Sequence, residues 1–196
     1  MPSDTDHREH AGETGHPHER RFQGEPDRLR APDRLARMEV PHVAALSTAG
    51  IPVESVLDVG TGTGVFAEAF AAAGFAVTGI DVNADLLDVA RQSVPTAQFK
   101  QAPVEKIPFA DRSFDLAFLG HVLHEADDPL AALKEAHRVA HSRVAILEWP
   151  YRQEEKGPPL EHRLRPEIVV DLAAQAGFQN VETIHLEYMD FYRLTP

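Results

Sequence analysis

The chain has 196 residues, which is enough for one α/β domain with its own hydrophobic core and too few for two such domains. Its 31 acidic residues against 19 lysines and arginines give a net charge of -12, so nucleic acid and anionic membrane surfaces are disfavoured as partners. The sequence contains no cysteine, which excludes a disulfide scaffold and a thiolate metal site.

Membrane and export signals are also missing from the sequence. No apolar run approaches the roughly 20 residues of a membrane span, and the N-terminus is polar rather than signal-like. We therefore expect a cytoplasmic protein without a membrane span. The sequence does not define its oligomeric state.

The N-terminal part of the chain differs in composition from the rest. Residues 1–32 are rich in His, Glu, Arg, Gly and Pro, so we predict a disordered, His-rich tail before a folded domain at 33–196. An alternative is that Arg21 and Phe22 close over an occupied pocket as a lid. A transition metal could bind the histidines of the tail, but we favour a solvated segment and predict no metal site. These histidines are His7, His10, His16 and His18.

From residue 33 onward, helical and strand patterns alternate. A helix over 33–47 is broken or offset near Pro41, because proline interrupts helical hydrogen bonding. The apolar run 56–59 predicts a strand that enters a glycine-rich turn, and the helix 65–73 follows. The next strand, 76–80, ends on an acid, Asp81.

The second half of the chain continues this alternation. Asn83 and Asp128 are the expected N-caps of two helices, and Gly177 is expected to close a third. Further strands are predicted at 97–100, 114–119, 143–148, 180–187 and 190–194. Such alternation predicts a parallel sheet with helices on both faces, and the closing hairpin makes the last strand antiparallel.

The turn after the first strand has the residues of a nucleoside pocket. Glycines at 60, 62 and 64 lack the Cβ atoms that would keep a ligand from the backbone. The next helix directs its N-terminal amides to the same place, which favours a carboxylate or a phosphate. Asp81 can accept hydrogen bonds from both hydroxyls of a ribose. A nucleoside cofactor is therefore predicted at this loop.

Two such cofactors fit the loop, a dinucleotide and S-adenosylmethionine. Gly62, Gly64 and Ala67 satisfy the looser form of the dinucleotide fingerprint, so the pattern alone is ambiguous. The close spacing of the glycines and the acid Asp58, which would repel a pyrophosphate, argue against a dinucleotide. Asp58 can instead approach, through water, the ammonium of an amino-acid group.

Motifs downstream of the glycine-rich turn make the interpretation more specific. The informative segments are 56–64, 79–83, 107–115, 121–129 and 146–149. In these segments the chain resembles the class I S-adenosylmethionine-dependent methyltransferases, particularly the ubiquinone and menaquinone C-methyltransferases, and the resemblance covers roughly residues 55–194. It implies a Rossmann-like, three-layer αβα fold with a seven-stranded, mostly parallel sheet and an antiparallel last strand.

The resemblance also implies S-adenosyl-L-methionine as cofactor and names the residues that bind it. Thr61 and its neighbours would contact the methionine part, and Asp81 would hold the ribose. Val82 would pack on the adenine face, and Val104 would lie beside the adenine edge. The expected cofactor-binding residues are Asp58, Gly60, Thr61, Gly62, Gly64, Asp81, Val82, Val104, Gly120 and His121.

One position departs from the family pattern. Many relatives have an acid where this chain has Pro103, and that acid accepts a hydrogen bond from the adenine amino group. Proline cannot do so, and the contact is lost or supplied by another side chain, for which Glu105 is the candidate. The loss of this contact would weaken the affinity for the cofactor at its adenine end.

Three polar side chains are candidates for catalysis. His121 and His124 follow the fourth strand, and either can orient a substrate or act as a general base. Glu148 ends the fifth strand, where functional groups of open α/β sheets gather. The structural alternatives are lining of the cleft for His121, packing or hydrogen bonding for His124, and a bond to a loop amide for Glu148. The connection 151–163 is a candidate cover for the acceptor, although solvated side chains explain most of its residues.

These features predict an enzyme that transfers a methyl group from S-adenosylmethionine to a small-molecule acceptor by direct displacement. The identity of the acceptor, and whether its reaction needs a base, are left open. The alternatives are a non-catalytic cofactor- or metal-binding protein and, with less support, an NADP-dependent oxidoreductase. Asp81 disfavours the last, because an acid repels the 2′-phosphate of NADP.

Overall fold

A computed structural model describes residues 24–196 of the chain. Seven strands form one sheet in the order β3-β2-β1-β4-β5-β7-β6. The strands β1 to β5 pair in parallel, and β7 lies antiparallel between β5 and β6. The strands are β1 Ser55–Val59, β2 Ala76–Asp81, β3 Gln98–Gln101, β4 Phe114–Gly120, β5 Ala140–Glu148, β6 Asn180–His185 and β7 Asp190–Thr195. The predicted fold class is confirmed.

Two of the helices begin at the N-caps that the sequence predicts, Asn83 and Asp128. Asn83 Oδ1 accepts hydrogen bonds from the amides of Asp85 and Leu86, and Asp128 Oδ1 accepts one from Ala131 N. The α-helices are α1 Pro26–Leu29, α2 Pro32–Arg37, α3 Val40–Thr48, α4 Val65–Ala72, α5 Ala84–Ser93, α6 Pro129–Val139 and α7 Pro166–Ala176. Two short 3-10 helices lie at Leu123–Glu125 and Leu160–His162. Among residues 24–196, no helix is long and apolar enough to span a membrane.

The central strands alternate their side chains between two apolar cores. In β1, Leu57 belongs to the core that includes Leu133 of α6 and Val169 of α7. Its neighbour Val56 belongs to the other core, with Phe70 of α4. Helices therefore cover both faces of the sheet, and the carboxyl ends of the parallel strands stay open at one edge.

The strand order defines where a ligand can enter. From β1 the chain adds β2 and β3 on one side and then crosses to β4 and β5 on the other. The crossover connections of β1 and β4 therefore run in opposite directions, which leaves a crevice outside their carboxyl ends. The glycine-rich turn after Val59, the acid Asp81 and the segment after Gly120 all lie at this edge.

The segment before residue 33 takes part in this edge. Arg30 of the α1–α2 turn donates from Nη1 to the carbonyl oxygen of Thr63 at 3.1 Å and forms an ion pair with Glu68 of α4. The tail predicted over 1–32 thus includes described residues that contact the domain. Its remaining part, with the four histidines and the Arg21–Phe22 lid, lies outside the described residues.

Candidate functional site

A cavity opens at the carboxyl ends of β1, β2 and β4. It encloses about 990 Å³ of space not occupied by atoms, its open mouth included. The glycine-rich turn, the ends of β2 and β4 and the segment after β3 contribute most of its walls. Leu29, Arg34 and Met38 from the N-terminal segment close it on a further side.

The glycine-rich turn has backbone angles that favour glycine. Gly60 has a φ of 68°, and a Cβ on it would lie 2.4 Å from Cγ2 of Val122. Gly64 has a φ of 80°, and its Cβ would lie 3.1 Å from Cβ of Ala90 in α5. At these two positions the protein's own packing and the positive φ require glycine, whether or not a ligand also approaches the backbone there.

Asp58 stabilises the glycine-rich turn through two hydrogen bonds. Its Oδ2 accepts a hydrogen bond from Thr61 Oγ1 at 2.7 Å and another from the amide of Ala67 at 3.0 Å. The carboxyl group is buried, and this burial raises its pKa to about 7, although the two hydrogen bonds act in the opposite direction. Asp58 therefore titrates near neutral pH beside the cavity.

Asp81 links the glycine-rich turn to the end of β2. Its Oδ2 accepts a hydrogen bond from the amide of Gly62 at 2.9 Å, and its Oδ1 accepts one from the amide of Asn83 at 2.8 Å. The carboxylate lines the cavity. A carboxylate oxygen can accept more than one hydrogen bond, so these two bonds do not by themselves prevent a ligand from bonding to Asp81.

An arginine and a glutamate of α6 hold the segment that follows β3. Arg138 donates to the carbonyl oxygens of Ile107 and Phe109 at 2.9 and 2.8 Å, and Glu135 Oε2 accepts from the amide of Ile107 at 2.7 Å. This segment carries Val104 and Glu105 into the cavity wall. Its position therefore depends on Glu135 and Arg138 of α6.

His121 is held in a strained backbone conformation at the end of β4. Its φ is 58°, a region that few residues other than glycine adopt. The ring stacks on Trp149 with a centroid distance of 4.9 Å, and Nδ1 lies 3.4 Å from Nη2 of Arg34. Burial, together with the charge of Arg34, lowers the pKa of His121 well below its usual range, so the ring is neutral.

His124 and Glu148 form a buried pair. Nδ1 of His124 lies 2.8 Å from Oε2 of Glu148, and Oε1 of Glu148 accepts from the amide of His124 at 3.1 Å. Burial alone would lower the pKa of His124, but the charge and hydrogen bond of Glu148 outweigh it and raise the pKa above its ordinary value. With Nδ1 engaged, Nε2 is the remaining ring nitrogen, and it lies 3.9 Å from Oε1 of Glu125.

A second cavity adjoins the first. It encloses about 1740 Å³, including solvent at its opening, and His124 and Trp149 form part of its wall. The residues that line both cavities are Leu29, Arg34, His121 and Glu125. A ligand in one cavity can therefore meet a ligand in the other near these four side chains.

One buried arginine organises the loop over the second cavity. Arg163 donates hydrogen bonds to the carbonyl oxygens of Pro150, Arg152, Lys156 and Pro158 at distances of 2.7–3.1 Å. The loop 156–159 and His162 line the cavity. The connection predicted as a cover for the acceptor is therefore a fixed wall, whose conformation depends on Arg163.

Comparison with known proteins shows which proteins this chain is similar to. Residues 57–147 match a family model described as a methyltransferase domain. A demethylmenaquinone methyltransferase from Chlorobaculum parvum is 40% identical over 85 residues, which cover 43% of this chain and 35% of that protein. A malonyl-[acyl-carrier protein] O-methyltransferase from Serratia marcescens is 35% identical over 96 residues, which cover 49% of this chain and 38% of that protein. The aligned region thus spans little more than a third of these curated relatives.

The fold agrees with a solved structure over most of the chain. The crystal structure of a SAM-dependent methyltransferase from Aquifex aeolicus matches with a TM-score of 0.76 and 25% identity, covering 88% of this chain and 98% of that chain. Residues 57–147 are a methyltransferase domain, and the comparisons support a class I S-adenosylmethionine-dependent enzyme.

The cofactor of this methyltransferase domain is S-adenosylmethionine, and the residues of the first cavity fit it. The Asp81 carboxylate suits ribose hydroxyls, and the apolar side chains of Val82 and Val104 suit the faces of an adenine ring. Asp58 offers a carboxyl group near the turn, where an ammonium can be accommodated. Glu105 also lines the cavity, and its Oε1 accepts from the amide of Asp127 at 2.9 Å.

The cavity brings together nearly all residues predicted to bind the cofactor. Gly64 is the exception, because it caps α4 and donates its amide to the carbonyl oxygen of Thr61 at 2.9 Å without joining the wall. The predicted residues that line the cavity are Asp58, Gly60, Thr61, Gly62, Asp81, Val82, Val104, Gly120 and His121. Within residues 24–196, no group of three or more potential ligands for a metal ion is found.

The structure also brings residues to the site that the sequence did not single out. Arg34 lies between the two cavities, and Leu29 lines both. Neither residue belongs to a recognised motif. Leu29 precedes the predicted domain 33–196, and Arg34 is the second residue of that domain. The one available signal was the apolar spacing of α2 and α3, which indicated a packed helix but not its position over the strand ends.

Proposed function

We propose that this protein transfers a methyl group from S-adenosylmethionine to a small-molecule acceptor, with His124 as the general base and Glu148 as its partner. The observation that carries the proposal is the junction of the two cavities. The first has the residues that suit the cofactor, and the second has His124 in its wall. When bound, S-adenosylmethionine supplies a methyl group on a positively charged sulfur, which a nucleophile displaces.

The first cavity holds the cofactor through complementary groups. Asp81 accepts hydrogen bonds from the ribose, and the turn at Thr61 and Gly62 supports the methionine part. Val82 and Val104 pack against the adenine. Glu105 stands at the adenine end, where Pro103 offers no acceptor side chain, so its carboxylate is the candidate partner of the adenine amino group.

His124 is the group that accepts the proton lost by the acceptor. Its Nε2 accepts a proton from an O–H or N–H of the acceptor, while the Nδ1–H remains bonded to the Glu148 carboxylate at 2.8 Å. The negative charge of Glu148 stabilises the imidazolium that results. His121 is neutral and lies beside Arg34 and Trp149, so its role is to position these two side chains at the junction.

The acceptor itself is assigned only by class. The names of two relatives specify different acceptors, demethylmenaquinone in one and a malonyl group on acyl-carrier protein in the other. Both have a methyl group transferred to them, and both matches cover less than half of each chain. Because these two names disagree on the acceptor, we extend neither acceptor to this chain and propose only a small-molecule acceptor.

Calorimetry with S-adenosylmethionine, S-adenosylhomocysteine and NADPH tests the cofactor. Binding of the first two and not of NADPH is expected, and binding of NADPH alone would contradict the proposal. Release of S-adenosylhomocysteine is then followed with a panel of small phenols, acids and amines. Tight cofactor binding without turnover of any panel member would favour the alternative of a non-catalytic cofactor-binding protein.

A further inference from the structure

The second cavity differs in charge from the rest of the protein. Four cationic side chains line it against two carboxylates, although the whole chain has a net charge of -12. The cations are Arg28, Arg34, Arg37 and Lys156, and the carboxylates are Asp33 and Glu125. A cavity with an excess of one charge sign concentrates ligands of the opposite sign.

The cations of the wall differ in how far other residues neutralise them. Arg37 donates from Nη2 to Glu154 at 3.1 Å, and Lys156 Nζ lies 3.4 Å from Oδ2 of Asp33. Arg34 is different, because among the described residues it forms no ion pair with a carboxylate, and its Nη2 lies 3.4 Å from Nδ1 of the neutral His121 ring. The charge of Glu125 acts on the Arg34 guanidinium without a direct ion pair.

Arg34 also has unused hydrogen-bonding capacity. Among the described residues, its buried Nε has no hydrogen-bond partner. Burial lowers the pKa of the guanidinium, and the charge of Glu125 only partly opposes this effect. An oxyanion beside Arg34 would satisfy the unpaired donor and offset the desolvation of the charge.

We infer that the second cavity binds an acceptor that carries an anionic group, a carboxylate or a phosphate, which Arg34 recognises with support from Arg28 and Lys156. This inference rests on the proposed function, since it treats the second cavity as the acceptor site. It places the anionic group at the junction and leaves the rest of the acceptor to extend along the wall formed by 156–159. A carbonyl oxygen of a neutral quinone could accept a hydrogen bond from Arg34, but it would not neutralise the charge of the guanidinium.

Matched anionic and neutral probes test this inference. Benzoate, phenyl phosphate and benzamide are titrated by NMR at millimolar concentration into the full chain saturated with S-adenosylhomocysteine. We expect at least one anion to bind about tenfold more tightly than benzamide, because one charge-assisted hydrogen bond has about that effect. The two anions distinguish a carboxylate from a phosphate. Equal affinity for all three probes, or no binding of either anion, would overturn the inference.

Two sets of variants then locate the recognition. Arg34→Gln should reduce anion binding about tenfold and leave benzamide unchanged. The double variant Arg28→Gln with Lys156→Gln, at two exposed positions, should weaken the anion severalfold and keeps the test decisive if Arg34→Gln does not fold. Lys134→Gln on the exposed side of α6 removes one charge outside the cavity and serves as the control. If both variant sets still prefer the anion to benzamide as strongly as the wild type does, the assignment of anion recognition to Arg34, Arg28 and Lys156 is overturned.

The same titrations separate this inference from the proposed function. Affinity for S-adenosylhomocysteine is measured on every protein. Failure of the wild-type chain to bind S-adenosylhomocysteine or S-adenosylmethionine would refute the methyltransferase proposal, even if anions still bind. Normal cofactor affinity with no anion preference would refute only the present inference.

Discussion

Nδ1 of His124 lies 2.8 Å from Oε2 of Glu148, although the two residues are 24 positions apart in the chain. The neighbouring strands β4 and β5 bring them together. Both side chains are buried, and the Glu148 carboxylate also accepts from the amides of His124 and Trp149. A carboxylate with three donors around it fixes both the ring orientation and the tautomer of His124.

The first prediction concerns the pH dependence of methyl transfer. A general base must be unprotonated, so kcat/KM should rise with pH through the pKa of His124, which Glu148 raises above its ordinary value. In Glu148→Gln the midpoint should move to lower pH, and kcat should fall by about 10- to 100-fold because the imidazolium loses its partner. Steady-state rates from about pH 5 to about pH 9 measure both effects, because this range brackets the ordinary pKa of a histidine.

A matched variant controls for a general loss of charge. Glu182→Gln on β6 removes an exposed carboxylate that pairs with Arg193 and should leave the profile unchanged. The pH midpoint of Glu148→Gln should differ from that of the control. Identical midpoints would show that the pair does not act on the proton.

The second prediction concerns the ribose acid. Asp81→Asn should weaken binding of S-adenosylhomocysteine by about 10- to 100-fold, because hydrogen bonds to a charged acceptor are each worth about 1.5–3 kcal/mol. Isothermal titration calorimetry measures this change. Asp85→Asn, at an exposed position in the first turn of α5, removes the same charge nearby and should bind normally. Equal affinity in the two variants would exclude Asp81 from the ribose site.

The third prediction separates backbone strain from a steric clash in the glycine-rich turn. Gly60 and Gly50 have similar φ angles, 68° and 78°, but only a Cβ on Gly60 would collide with Val122. Gly50→Ala should cost about 1–2 kcal/mol in the free energy of unfolding from its left-handed backbone alone. Gly60→Ala should cost more and also impair cofactor binding. Urea denaturation gives both values, and equal costs would contradict the collision.

The fourth prediction is a stability effect of Asp58. Burial raises the pKa of Asp58 from 3.8 to about 7, so the folded state binds this proton more tightly than the unfolded state. Its contribution to stability is therefore largest at low pH and decreases as the pH rises from about 4 to about 7, by a few kcal/mol at most. Asp58→Asn should remove this dependence. Urea unfolding of both proteins across this range measures it, and a constant difference between them would contradict the prediction.

The fifth prediction concerns the loop over the second cavity. Arg163→Lys cannot reproduce four hydrogen bonds to loop carbonyls, so we expect a loss of about 1–3 kcal/mol and faster amide hydrogen exchange over 150–163. Arg91→Lys, at an exposed position of α5 that pairs with Asp88, is the control. Cofactor affinity should be the same in both. Unchanged exchange in Arg163→Lys would show that the loop is held by other contacts.

Much of the fold could be predicted because its signals are local. Strand β1, the caps Asn83 and Asp128 and the closing Gly177 act within a few residues of their own positions. The hairpin of β6 and β7 also followed from the short segment between them. The exact ends of β5 were not predictable, because its first residues pair with β4 across an irregular register at Phe114.

The junction between the cavities could not be predicted from local patterns. Arg34 and His121 are 87 positions apart, and nothing in either segment specifies that their side chains meet. Arg163 was expected on a solvated connection, but it is buried because four carbonyl groups of the loop surround its guanidinium. Such contacts depend on how distant segments pack.

The sequence by itself determined the cofactor end of the protein, because the turn at Gly60 and the acid Asp81 are constrained by backbone angles and by position at the strand ends. Only the tertiary structure determined which residues meet at the proposed acceptor site. The pairing of His124 with Glu148 and the position of Arg34 depend on strand order and helix packing. These arrangements are non-local, and the free energy that fixes them comes from burial of the whole core rather than from any one segment.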